Sequence, residues 1–194
     1  MARALLVIDV QVDFCEGGAL GCDGGAQAAL DITNYMRSTK GDYDLVIASR
    51  DWHTPDSANG GHFPPVGQEP DYVNNWPLHC IAGTTGADYH PNLDSELIDI
   101  HIKKGQGAHG YSIFDGVDDA GTPFLELLKQ HQIDKVDVVG IATDYCVRAS
   151  SLDAHAAGLE VRVITSLTAG VNPKTTEAAI DEMVDAGVSV VPVP

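Results

Sequence analysis

The sequence predicts an α/β fold: a doubly wound, mostly parallel sheet of six strands with helices on both faces. Two observations carry this. Short, continuous apolar runs recur along the chain, as central parallel strands covered on both faces require. Between them lie amphipathic stretches with helix start and stop signals, so that strand and helix alternate. At 194 residues the chain fits one domain, residues 1–194, long enough to bury a sizeable core.

The first run covers residues 4–8, followed by a helical pattern over 24–37 and a second run over 45–49. Residues 98–103 are a weaker strand candidate, because Asp99 and His101 alternate with Ile98, Ile100 and Ile102. A helical pattern at 123–131 leads to the longest run, 136–141, and a further helix is expected over 144–157, stopping at Ala157-Gly158. The run at 161–165 precedes a helix over 174–186, entered through Asn172-Pro173-Lys174, and 188–191 is the last strand. The stretch from 51 to 91 differs: it is rich in proline and has little periodicity. It carries Trp52, Trp76, His53, His62, His79 and His90, and so reads as a functional loop.

A formal net charge of −17 argues against nucleic acid or an anionic membrane as partner, since both would repel the chain. Only residues 4–8 separate Arg3 from Asp9, too short for a secretory core, and no apolar run approaches the ~18 residues of a membrane span. Cys15, Cys22, Cys80 and Cys146 show no C-x-x-C pairing. Free thiols in a reduced, cytoplasmic compartment are expected.

In doubly wound sheets ligands bind beyond the carboxyl ends of the strands. Asp9, Asp51, Lys104 and Cys146 each follow a strand candidate directly or within a few residues, so they can converge on one crevice. Cys146 sits where the 136–141 strand turns into a helix. Backbone N–H groups and the helix dipole there favour a thiolate, although a cysteine in this setting can also be an inert core residue. Gly140, Ala142 and Thr143 are small enough to let a substrate approach the turn, whose N–H groups can hold an oxyanion.

Asp9 is either a turn residue or a general base for that thiol. Lys103 or Lys104 can supply a cation; alternation lets only one of them face the crevice, and periodicity does not choose. Asp51-Trp52-His53 places a carboxylate and an imidazole two residues apart, His79 follows a stiff Trp76-Pro77 turn, and His62 is a fourth donor. Such a set suits Zn, Mn or Fe(II), although Asp-x-His is also common in solvated loops. Cys80 reads as a buried structural thiol.

These segments resemble the nicotinamidase/pyrazinamidase branch of the isochorismatase-like cysteine hydrolases. The likeness runs through 7–15, Arg50-Asp51-Trp52-His53, Trp76-Pro77-Leu78-His79-Cys80, Lys104-Gly105, Tyr111-Ser112-Ile113-Phe114 and 139–148. It implies a catalytic triad of Asp9, Lys104 and Cys146, with Lys104 preferred because the family's lysine directly precedes glycine. It also implies one divalent metal ion (Zn, Fe or Mn) on Asp51, His53 and His79, with His62 added from the His62-Phe63 pair. The oxyanion hole would be the N–H groups of Ala142 and Cys146, after a cis Ile141-Ala142 peptide, and the ring pocket would include Phe14, Trp76 and Tyr111. Val12 departs from the family's usual asparagine.

The implied reaction is hydrolysis of nicotinamide to nicotinate and ammonia through a Cys146 thioester, with pyrazinamide as a further substrate. The implied partner is a small pyridine carboxamide, and the chain would be a monomer or homodimer. Metal-free relatives (an isochorismatase or an N-carbamoyl amide hydrolase) are the neighbouring alternative. A metal- or redox-sensing protein using Cys80 or Cys146 is the distant one.

Overall fold

In the computed structural model, which describes residues 2–193, one parallel sheet organises the chain. Its strands are β1 (Ala2–Ile8), β2 (Leu45–Asp51), β3 (Ile100–Lys104), β4 (Ile133–Ile141), β5 (Glu160–Ala169) and β6 (Ser189–Val191), in the order β3-β2-β1-β4-β5-β6. Every pairing is parallel, which sharpens the expected "mostly parallel". The weak third strand is real, but shifted: Ile98 packs as a buried residue outside it and Lys104 falls inside it.

In β1, Leu5 and Val7 pack on one face while Ala4, Leu6 and Ile8 pack on the other, so alternation here separates two apolar faces. Helix α1 (Gly25–Ser38) covers the first face with Ala28, Ala29, Ile32 and Met36. Helices α2 (Phe124–Gln130), α3 (Arg148–Ala156) and α4 (Pro173–Asp185) cover the second, through residues such as Phe124, Ala154 and Met183. Opposite faces follow from handedness, because the chain steps one way from β1 to β2 and the other way from β4 to β6.

The helix ends are legible in local chemistry. Asn172 caps α4 by accepting from Lys174 N at 2.9 Å, with Pro173 at the first position. Gly24 has no side chain with which to cap α1; Glu16 does so instead, accepting from Gly24 N (2.7 Å) and Ala26 N (2.8 Å). Among the described residues no helix is long and apolar enough to cross a membrane.

The chain reverses its direction of winding between β1 and β4, which are neighbours. Their carboxyl ends deliver Asp9 and the turn bearing Cys146 to one crevice.

Candidate active site

Residues at and just beyond the strand ends meet in a buried polar cluster. Lys104 Nζ lies 2.8 Å from Asp9 Oδ2, 2.5 Å from Asp51 Oδ1 and 3.7 Å from Cys146 Sγ. Carboxylate oxygens of Asp9 and Asp51 and the Cys146 sulfur lie within 4.8 Å of one another. Strand register explains which lysine enters. Asp51 pairs with Lys104 and Arg50 with Lys103, so Lys104 shares a face with Asp51. Lys103 turns the other way, over the Trp52 ring at 5.0 Å and onto Asp119 at 2.7 Å.

Asp9 sits just past β1 at φ 47°, a left-handed conformation that costs a non-glycine residue about 1–3 kcal/mol. Its neighbours hold it there: Asp9 N donates to Ser49 O (3.2 Å) and Ser49 Oγ donates to Asp9 Oδ1 (2.7 Å). Burial pushes the Asp9 pKa above the ordinary carboxylate value, with Lys104 opposing it and Asp51 adding to it. Burial also pushes the Cys146 thiol well up, against the pull of Lys104. Dehydration thus works against the thiolate that the turn's N–H groups favour, while Lys104 works for it. Lys104 behaves oppositely. Burial works against its charge, but Asp51 and Asp9 raise its pKa well above normal and keep the ammonium charged.

Cys146 does not open an ordinary α-helix. Thr143–Val147 form a π-helical turn closed by Val147 N donating to Ala142 O at 3.1 Å, and α3 continues from it. The Ile141–Ala142 peptide is cis, as the resemblance implied.

A second cluster adjoins the first through Asp51. One donor atom from each of Asp51, His53, His62 and His79 lies within 4.8 Å of the others, and all four residues are buried. His53 Nδ1 faces Gly105 O (3.1 Å) and His79 Nδ1 faces Pro77 O (2.7 Å). Those carbonyls fix the proton on Nδ1 and turn each Nε2 lone pair inward. His53 Nε2 has no hydrogen-bond partner. The Nε2 atoms of His62 and His79 stand 3.2 Å apart, where two lone pairs repel unless a proton or cation lies between them. Burial, helped by the neighbouring imidazoles, lowers the His62 pKa to about 3, which leaves the neutral, ligating form. This donor set fits a divalent transition-metal ion.

Gly105 explains the lysine–glycine step. It has φ 73°, and a Cβ there would stand 2.6 Å from His53 Cε1. The long loop is tied back by Asn59, whose Oδ1 accepts from Thr54 N (2.9 Å) and Gly107 N (3.0 Å).

A cavity of about 370 Å³ borders both clusters. Of the residues expected in it, Phe14, Trp76, Tyr111, Ala142, Cys146, Asp51, His62 and His79 line its wall. Asp9, Lys104 and His53 lie behind that wall, fully buried or nearly so. Leu20, Tyr72, Tyr145 and Val171 also line it and were not anticipated. Nor were Ser49 and Gln11. Gln11 Nε2 donates to Asp51 O and Ala87 O (both 2.9 Å), while its Oε1 accepts from Asp51 N (2.8 Å). Strand alternation offered a signal for Ser49, two residues before Asp51 on the same face. Gln11, outside any strand, offered none.

The Isochorismatase domain family matches residues 3–193 of the chain. The chain belongs to that family. It is 49% identical to the nicotinamidase/pyrazinamidase of Mycobacterium tuberculosis over 189 residues, covering 97% of this chain and 98% of that protein. Among solved structures, the isochorismatase-family fold is similar to the zinc complex of Pyrococcus horikoshii pyrazinamidase, with a TM-score of 0.81, 31% identity and coverage of 98% and 99% of the two chains. It is equally similar to an L. infantum protein solved with nicotinate: TM-score 0.81, 32% identity, 98% of this chain and 92% of that one.

Proposed function

We propose that this protein is a nicotinamidase that also accepts pyrazinamide, a metal-dependent cysteine amidohydrolase with Asp9, Lys104 and Cys146 as its catalytic residues. The supporting observation is the meeting of two clusters at one cavity. The sulfur, acid and ammonium group adjoins the carboxylate–imidazole group through Asp51, and Cys146, Asp51 and His79 line the same wall. Nearly full-length similarity to a nicotinamidase/pyrazinamidase supports the choice of substrate.

Asp51, His53, His62 and His79 would hold one zinc, iron or manganese ion. When bound, that ion supplies an open coordination position for the ring nitrogen of the substrate and offsets the charge of Asp51. Phe14 and Trp76 flank the ring, and Tyr111, which accepts from Trp76 Nε1 at 3.0 Å, fixes the indole.

Asp9, a stronger base for its burial, takes the Cys146 proton as sulfur attacks the carboxamide carbon. Ala142 N–H and Cys146 N–H receive the charge developing on oxygen, an interaction worth about 3–4 kcal/mol. Lys104 stays charged throughout and limits the repulsion between Asp9, Asp51 and the emerging thiolate. Asp9 then returns its proton to the departing nitrogen, so that ammonia leaves and a Cys146 thioester remains. Water adds to the thioester, the C–S bond breaks, and the thiol is regenerated with nicotinate.

The test is ammonia release from nicotinamide and pyrazinamide. Wild-type protein should turn both over and Cys146→Ala neither, while the variant still binds the ring. Dialysis against a chelator should abolish turnover, and zinc, iron or manganese should restore it. Full activity in metal-free protein, or ammonia release by Cys146→Ala near the wild-type rate, would overturn the assignment.

A further inference from the structure

The π-helical turn carrying Cys146 is gripped from outside by a carboxylate the chemistry above does not use. Asp144, 5% exposed, points away from the cavity and into the segment that opens α4. Its Oδ1 accepts from Val171 N at 3.0 Å. Its Oδ2 accepts from Asn172 N at 3.3 Å and from the Thr175 hydroxyl at 2.5 Å. No lysine or arginine side chain is bonded to this carboxylate; Arg148 Nε instead donates to the Asp144 backbone oxygen at 3.3 Å. A buried carboxylate held at both oxygens by three donors is a fixed strut.

We infer that Asp144 is a positioning residue: it locks the nucleophile turn and the cavity wall to one rigid helix. Two features make this more than a cap. Asp144 precedes Cys146 by two residues in a turn whose closing bond spans a π-helical step. The N–H it accepts belongs to Val171, which lines the same cavity as Cys146. One carboxylate thereby ties the turn that carries the thiol to another residue of the cavity wall. The inference rests on the proposed amide hydrolysis for its kinetic readout only.

The experiment compares wild type with Asp144→Asn, which places an amide donor against N–H donors, and Thr175→Val, which removes the hydroxyl alone. For each, kcat and KM on nicotinamide are measured with the metal-loaded protein, alongside bound metal, far-UV circular dichroism and the rate at which iodoacetamide alkylates Cys146, followed by peptide mass. In Asp144→Asn, kcat should fall about 10- to 100-fold with KM within about threefold, as expected of a displaced nucleophile. Cys146 alkylation should slow in parallel, with metal content and secondary structure unchanged. Thr175→Val should move the same way by a smaller factor. Wild-type kcat and alkylation in folded Asp144→Asn would overturn the inference, as would losses that merely track unfolded or metal-free protein. If Asp144→Asn does not fold, unchanged kcat and alkylation in Thr175→Val overturn it. Should the wild type release no ammonia from nicotinamide, the proposed substrate fails while the alkylation rates still decide the role of Asp144.

Discussion

Asp9 illustrates how one side chain's properties are set by the groups that touch it. Burial raises its pKa, while Lys104 and the Ser49 hydroxyl, which bonds Oδ1 at 2.7 Å, pull it back. Removing that hydroxyl takes away a lowering influence, so the Asp9 pKa must rise further. In the proposed reaction the Asp9 carboxylate is the base, and the acid limb of kcat/KM should therefore move to higher pH in Ser49→Ala. A loss of about tenfold is expected at the acid end, with a smaller loss at pH 8. Pre-steady or steady-state rates across the range would show it, and an unmoved limb would detach Asp9 from the base role. At this scale much of the site was legible, because chemistry-bearing residues stood at strand ends. Periodicity left the choice between Lys103 and Lys104 open and only the lysine–glycine step of the resemblance favoured Lys104; register against Asp51 puts Lys104 on the face of the site. The turn bearing Cys146 was visible in the sequence, whereas the depth to which it is buried was not.

Among the elements, the central strands were legible from their apolar runs, whereas the π-helical turn was not. The extra residue at Thr143–Val147 leaves the side-chain pattern helical, so periodicity cannot separate it from α3. The approach of β4 to β1 shows what the turn requires of the strand before it. Gly140 pairs with Ile8 and has φ 120°, a conformation side chains rarely adopt. A Cβ there would collide with Ile8 O and stand 2.6 Å from Ile8 N, both backbone atoms of a fully buried residue. Gly140→Ala should thus cost at least about 3 kcal/mol, through strain and steric conflict together. The expected readout is a melting temperature lower by roughly 10 °C, with poor soluble yield. A melting temperature equal to wild type would mean that β1 yields far more readily than a central strand should.

Across the whole molecule, the site and a second polar network occupy different parts of the sheet. The carboxyl ends carry the acid, the lysine, the cysteine turn and the histidine cluster, as the reversal in strand order between β1 and β4 dictates. Away from the cavity lies a different buried charge. Asp137 in β4 accepts from Arg162 Nε (2.9 Å), Arg162 Nη2 (2.6 Å) and the Tyr43 hydroxyl (2.6 Å), and Tyr43 in turn bonds Tyr35 at 2.6 Å. Burial, together with these bonds, pushes the Tyr43 phenol well above its ordinary range. The network joins α1, the segment before β2, β4 and β5, and none of its members lines the cavity. Asp137→Ala removes the common acceptor and strands a half-buried phenol and a half-buried guanidinium, at a cost of about 3 kcal/mol. The melting temperature should fall by roughly 5–12 °C. Because the network shares no partner with the site, kcat of the folded protein at 25 °C should stay within about twofold of wild type. A large loss of kcat without loss of stability would mean that the network and the site are coupled, and would place Asp137 in the machinery of the reaction.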